Sequence, residues 1–222
     1  MTDLRLQRRR LLLLALPGLG AALLPRFANA QAQLQEDLVI AATNDRVDEI
    51  KRLLARGVDP NTADRNGDPV LVIAARAGYL PSVEALVAGK AQVDKRNAHG
   101  DTALMIAALN GHLPVVKFLR ARGAGINYPG WTPLIYAATG GHDDIVRYLL
   151  GEGAVVDAAS PNGTTALMMA VRENKPATVE LLLSKGADVN IRNQNGASAL
   201  DWAKRVEDTK ITAMLKKAGA VD

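Results

Sequence analysis

The chain has 222 residues, of which 48% are hydrophobic, 23% charged and 4% aromatic, and it contains no cysteine. That composition suits a folded globular chain rather than a disordered one, and it excludes disulfides, thiolate metal sites and cysteine nucleophiles. The formal charge of +4 resides in the first thirty residues, where Arg5, Arg8, Arg9, Arg10 and Arg26 face only Asp3. The remainder is balanced, which excludes the cationic excess that nucleic-acid binding needs to release counterions.

Residues 1–30 read as an export signal. Arg5 to Arg10 form a basic segment, and an apolar run of 14 residues opens at Leu11 and reaches Leu24. The run is shorter than the roughly 20 residues that span a hydrocarbon core, and Pro17, Gly18 and Gly20 weaken it as a permanent helix. Ala28-Asn29-Ala30 puts small residues where a signal peptidase reads, so cleavage after Ala30 is expected; an uncleaved anchor is the alternative. Arg9-Arg10-Leu11-Leu12-Leu13 also resembles the core of a twin-arginine signal, so either general secretion or that route is open. Both lead to a bacterial periplasm, with no membrane insertion once the signal is removed.

Beyond the signal, self-similarity organises the chain. Gly67, Gly100, Gly130, Gly163 and Gly196 each precede a related stretch, at spacings of 33, 30, 33 and 33. Gly57, Gly123, Gly153, Gly186 and Gly219 keep the same register, with Lys90 in the missing slot beside Gly89. A third series is Asn61, Asp94, Asn127, Asp157 and Asn190. Within one unit, Ala103 to Asn110 predicts a short helix that Gly111 ends. Pro114 then opens a second helix, where its absent N–H is not needed, and Val115, Val116, Phe118 and Leu119 give that helix its apolar stripe. Ala74-Ala75, Ala107-Ala108 and Ala137-Ala138 allow neighbouring helices to approach closely. Asn66-Gly67, Asn162-Gly163 and Asn195-Gly196 are tight-turn pairs suited to positive φ, at the tips of hairpin-like loops.

The stretch Gly130-Trp131-Thr132-Pro133-Leu134-Ile135-Tyr136-Ala137-Ala138, followed by Gly141-His142, resembles the ankyrin repeat. The resemblance covers residues 34 to about 219 and implies an all-α repeat solenoid of stacked helix-turn-helix pairs joined by β-hairpin-like loops. Six repeats fit, at about 34–66, 67–99, 100–129, 130–162, 163–195 and 196–222, forming one cooperative domain over residues 31–222. Burying a Leu or Ile contributes roughly 1.5–3 kcal/mol and ordering a residue's backbone costs roughly 1–2 kcal/mol, so a single repeat cannot stand alone and stacking supplies the balance. The Thr-Pro pair of the motif is intact only at Thr132-Pro133. Asp45 and Glu207 replace the helix-ending glycine in the terminal repeats, and Asn174 does so in the fifth.

No chemistry is legible. No zinc-binding His-Glu-x-x-His, no Gly-x-Ser-x-Gly elbow and no phosphate loop is present, and Gly18-Leu19-Gly20 lies in the leader. His112 and His142 follow helix-ending glycines and read as structural; Asp143-Asp144 open a helix, where negative charge offsets the dipole. No enzyme, cofactor or metal is expected. The family resemblance implies a concave face of hairpin tips and first helices that holds a partner protein. On the tips stand Arg65, Asp68, His99, Asp101, Tyr128, Trp131, Asn162 and Thr164; at the first-helix ends stand Arg76, Asn110, Thr139 and Arg172. The third loop is three residues short and carries Tyr128-Pro129-Gly130-Trp131, and its two aromatic residues are candidate hot spots. Folding of Trp131 back over its own shortened loop is the alternative. Trp202 is expected in the core, and Tyr136 and Tyr148 in packing. The expected role is a monomeric, exported protein-binding module; a chaperone-like factor with several clients is the alternative.

Overall fold

A computed structural model describes residues 20–205 and 207–221. These form twelve helices in six consecutive pairs: α1 (Gly20–Thr43) and α2 (Val47–Ala55), α3 (Val70–Ala77) and α4 (Leu80–Ala88), α5 (Ala103–Leu109) and α6 (Leu113–Ala121), α7 (Pro133–Gly140) and α8 (Asp143–Gly151), α9 (Ala166–Arg172) and α10 (Pro176–Ser184), α11 (Ala199–Arg205) and α12 (Thr209–Lys217). The first helices of successive pairs stack against one another from α1 to α11, and the second helices form a looser outer row. The alanine pairs make the inner row possible: Ala74, Ala75, Ala107, Ala108, Ala137 and Ala138 are all fully buried, and any larger side chain would hold the helices apart. The all-α solenoid expected from the repeats is the architecture observed.

One difference lies at the start. The first helix was expected near residue 34, but α1 begins at Gly20 and runs without a break through residues 28–30, where cleavage is expected. The arginines and leucines of residues 5–16 lie outside the described residues. No helix among the described residues is long and apolar enough to cross a membrane.

The local chemistry of each pair follows its sequence. Thr102, Thr132 and Thr165 cap α5, α7 and α9 by accepting the backbone N–H of Met105, Ile135 and Met168 at 3.3–3.4 Å. Such caps satisfy donors that have no partner inside a helix. Pro81, Pro114 and Pro176 sit in the first turns of α4, α6 and α10. Asp45, Asn174 and Glu207 adopt the positive φ that glycine supplies in the central repeats (52°, 50° and 54°). Lys90, with φ 71°, takes the left-handed slot itself. Its neighbour Gly89 serves packing, because a Cβ there would lie 2.5 Å from Leu54 Cδ1 on α2.

Two side-chain series tie repeat to repeat. Asn61, Asp94, Asn127, Asp157 and Asn190 each accept a backbone N–H from the next unit, those of Gln92, Gly125, Val155, Asp188 and Val221, at 2.8–3.0 Å. The third periodic series is therefore a spine of inter-repeat clamps. His112 Nε2 donates to Arg76 O and His142 Nε2 to Leu109 O, each at 2.9 Å and each reaching into the preceding repeat. The His142 ring lies where a Cβ on Gly111 would stand, 2.6 Å away. Both histidines are structural, as expected.

The hairpin-like tips contain isolated antiparallel bridges, Ala63 with Pro69 and Ala159 with Thr165. The tight-turn expectation needs one correction. Gly67, Gly163 and Gly196 adopt positive φ, but the asparagines before them do not. A side chain at the start of the tip closes the loop instead. Asp64 Oδ1 accepts the N–H groups of Asn66 and Asp68, both at 2.9 Å. Asn97 does the same for His99 and Asp101, and Asn193 for Asn195 and Ala197.

Candidate partner-binding face

Of the expected contact residues, Trp131, Asn162, Thr164 and Arg172 line one groove, whereas those of the more N-terminal repeats do not join it. In the N-terminal half the polar side chains satisfy each other. Asp68, only 8% exposed, accepts from Arg76 Nη2 at 2.7 Å and from Asn97 Nδ2 at 2.8 Å. Asp101 accepts from the Tyr136 hydroxyl. Burial, and then the Asp101 carboxylate, push the Tyr136 phenol well above the ordinary tyrosine range. Asn110 and Thr139 bond back to carbonyls of their own helices, Ile106 O and Ile135 O, both at 2.8 Å. Arg65 stands exposed, 3.7 Å from Glu36, and His99 is exposed at its tip. Of the expected contact residues in this half, Asp68, Arg76 and Asp101 serve the fold first.

The short third loop separates its two aromatics. Tyr128 turns back against the preceding repeat: its hydroxyl donates to Asp94 Oδ1 at 2.6 Å, the Arg96 guanidinium lies 4.6 Å from its ring centre, and the ring covers Gly125. Burial first, and the Asp94 hydrogen bond next, raise its pKa far above the usual value. It is half-buried, and part of its ring is committed to these contacts within the chain. Trp131 does not fold over that loop. It is 36% exposed and packs edge-on against Tyr136, ring centres 5.9 Å apart.

Trp131 instead forms one end of a groove of about 370 Å³ in the C-terminal half. Asn162, Thr164 and Arg172 line it, as do four residues that the sequence did not single out as contacts: Asn193, Ala197, Trp202 and Arg205. Asn195 completes the rim. Trp202, expected in the core, packs against it with one part and lines this groove with another. The Arg172 guanidinium stands 6.0 Å from its ring centre. Both tryptophans of the chain therefore face one opening. Thr164 is 1% exposed and its hydroxyl has no hydrogen-bond partner; a buried hydroxyl left unpaired normally costs stability. The signal that could have found the groove was the repeat register, which brings residues of three consecutive units to one wall.

Asp143 and Asp144 open α8 as expected; Asp143 also accepts the Thr178 hydroxyl at 2.6 Å, and Asp144 Oδ1 accepts the backbone N–H of Ile145 at 2.8 Å. Among the described residues no group of three or more His, Asp or Glu is arranged to hold a metal ion.

Consecutive helix pairs stacked into two rows, with an open groove lined by residues of three units, define a helical repeat protein. The profile of ankyrin repeats in three copies matches residues 38–130, 123–193 and 156–220. The chain belongs to the ankyrin-repeat family. No curated protein matches it closely enough to add a further relative.

Proposed function

We propose that the chain is an exported, non-catalytic binding module of the bacterial periplasm that holds one partner protein on the C-terminal half of its concave face. Ankyrin repeats generally mediate protein–protein interaction, and the leader of residues 1–30 supports export. The observation that carries the reading is the groove in which both tryptophans and an unpaired buried hydroxyl meet. Aromatic and arginine side chains dominate interface energetics out of proportion to their number.

Pull-down from periplasmic extract with the mature chain tests the reading. It predicts one stoichiometric complex, weakened at least about tenfold by Trp131→Ala. A crowd of weak clients, equally bound by the variant, would replace it with a chaperone-like role. Mass spectrometry of the exported protein tests the address: the expected first residue is Gln31, and a mature chain retaining Leu11 would remove the export assignment.

A further inference from the structure

The repeat register contains its own template for a ligand. The residue after each tip glycine is Asp68, Asp101, Trp131, Thr164 and Ala197 in successive repeats. The first-helix position eight residues further on is Arg76, Leu109, Thr139, Arg172 and Arg205. In the second repeat the two positions carry an acid and an arginine, which pair at 2.7 Å, and the acid also takes the side-chain amide of Asn97 from the next tip. In the fifth and sixth repeats the arginine remains and the acid is gone, replaced by Thr164 and Ala197. The amide counterpart also remains: Asn193 stands at the next tip, and no described residue accepts from its Nδ2.

The groove opens at this missing counter-ion. Its lining holds two arginines and no carboxylate. Glu173 occupies only Nε of Arg172, at 2.8 Å, leaving the terminal guanidinium nitrogens without a described partner. Arg205 has no ion pair among the described residues. Resting on the binding reading above, we infer that the groove takes an acidic peptide segment of the partner. Its carboxylates sit where Asp68 sits in the second repeat, bound by Arg172 and Arg205, and an apolar side chain lies between Trp131 and Trp202. The charge complementarity is local, since the chain beyond its leader is neutral overall. The volume of about 370 Å³ falls within the roughly 300–1,000 Å³ of ligand pockets and admits one anchor side chain with its neighbours. Arginine forks recognise carboxylates through paired donors, and the Asn193 amide supplies a further donor.

Calorimetric titration of the full chain tests this with acetylated, amidated pentapeptides whose central Phe is flanked on both sides by Asp, Asn or Lys. The Asp peptide is expected to bind at least about tenfold more tightly than the Asn peptide, with an advantage that shrinks as salt rises; the Lys peptide is expected not to bind. The double variant Arg172→Ala with Arg205→Ala removes that preference. Thr164→Asp restores the built-in acid beside Arg172 and is expected to abolish the preference without lowering the melting temperature. The inference is overturned by equal binding of all three peptides, by no binding of any, by a preference that survives the double variant, or by acetyl-aspartate amide alone binding as well as the pentapeptide. The last result would mark a pocket for small acids. A partner captured by pull-down from a chain indifferent to these peptides leaves the binding module standing and removes only the acidic segment.

Discussion

The two halves of the concave face are built on one register and differ in what they leave open. In the N-terminal half the tip acids find partners within the chain: Asp68 with Arg76 and Asn97, Asp101 with Tyr136. In the C-terminal half the same positions carry Thr164, Ala197, Arg172 and Arg205, which line a groove without an acid at the tip position to pair with the arginines. The difference teaches that position on a repeat does not decide function. Conservation of the fold's own hydrogen bonds removes a tip residue from the surface available to a partner, and a single acid-to-neutral replacement returns its arginine to that surface.

The comparison can be broken most forcefully at Asp68. Asp68→Ala leaves the Arg76 guanidinium and the Asn97 amide without their acceptor, so it is expected to cost about 2–3 kcal/mol of stability and to leave partner affinity unchanged; denaturant unfolding and a binding titration on the same sample check both. Trp131→Ala is the converse. It is expected to cost about 2 kcal/mol of binding and at most about 1 kcal/mol of stability through its edge contact with Tyr136. A Trp131→Ala chain that loses stability and keeps its partner would reverse the roles of the two halves.

Tyr136→Phe probes the closed half more gently. Loss of the hydrogen bond to Asp101 is expected to cost about 1 kcal/mol. The phenol has a raised pKa in the folded chain, caused first by burial and then by the Asp101 carboxylate. Its contribution is therefore complete below the ordinary tyrosine value of about 10 and is lost as pH rises beyond it, because the unfolded chain ionises first. Tyr128, raised by burial and Asp94, follows the same sign. Unfolding measured across alkaline pH is expected to show a shallower decline when both tyrosines are Phe. An unchanged slope would deny both phenols their burial and their carboxylate partners.

The smallest expected effect is at the end of the solenoid. Asp201 accepts from the backbone N–H and hydroxyl of Ser198 at 2.8 and 2.9 Å, and these bonds hold its carboxyl below the usual range. Its contribution is present above the unfolded carboxylate value of about 3.9 and fades as pH falls through the lower folded value. Asp201→Asn is expected to flatten the acid limb of the stability profile slightly, with no change in partner affinity.

Much of the fold was legible because each repeat states its own grammar. Gly111 and Pro114 mark the end of one helix and the start of the next, and the paired alanines mark the inner row. The Asn and Asp series was legible as a register, but not as a chain of clamps, since nothing local in Asn127 reveals that it meets Val155 in the following repeat. Repeat position was legible for the tip residues, but not the side chains each of them meets within the chain. Tyr128 looked free because its acceptor, Asp94, lies a whole repeat away. Trp202 looked buried because a helical apolar stripe does not show which part of a large ring remains on the surface. The early start of α1 had no signal in the repeat pattern, which begins only near residue 34.

A partner seated in the C-terminal groove would perturb tryptophan emission, because Trp131 and Trp202 are the two tryptophans of the chain and both line that groove. Addition of the captured partner, with its own tryptophans replaced by phenylalanine, is predicted to shift the emission in proportion to complex formed. A complex seen by sedimentation with the emission unchanged would place the partner elsewhere on the solenoid and contradict the account.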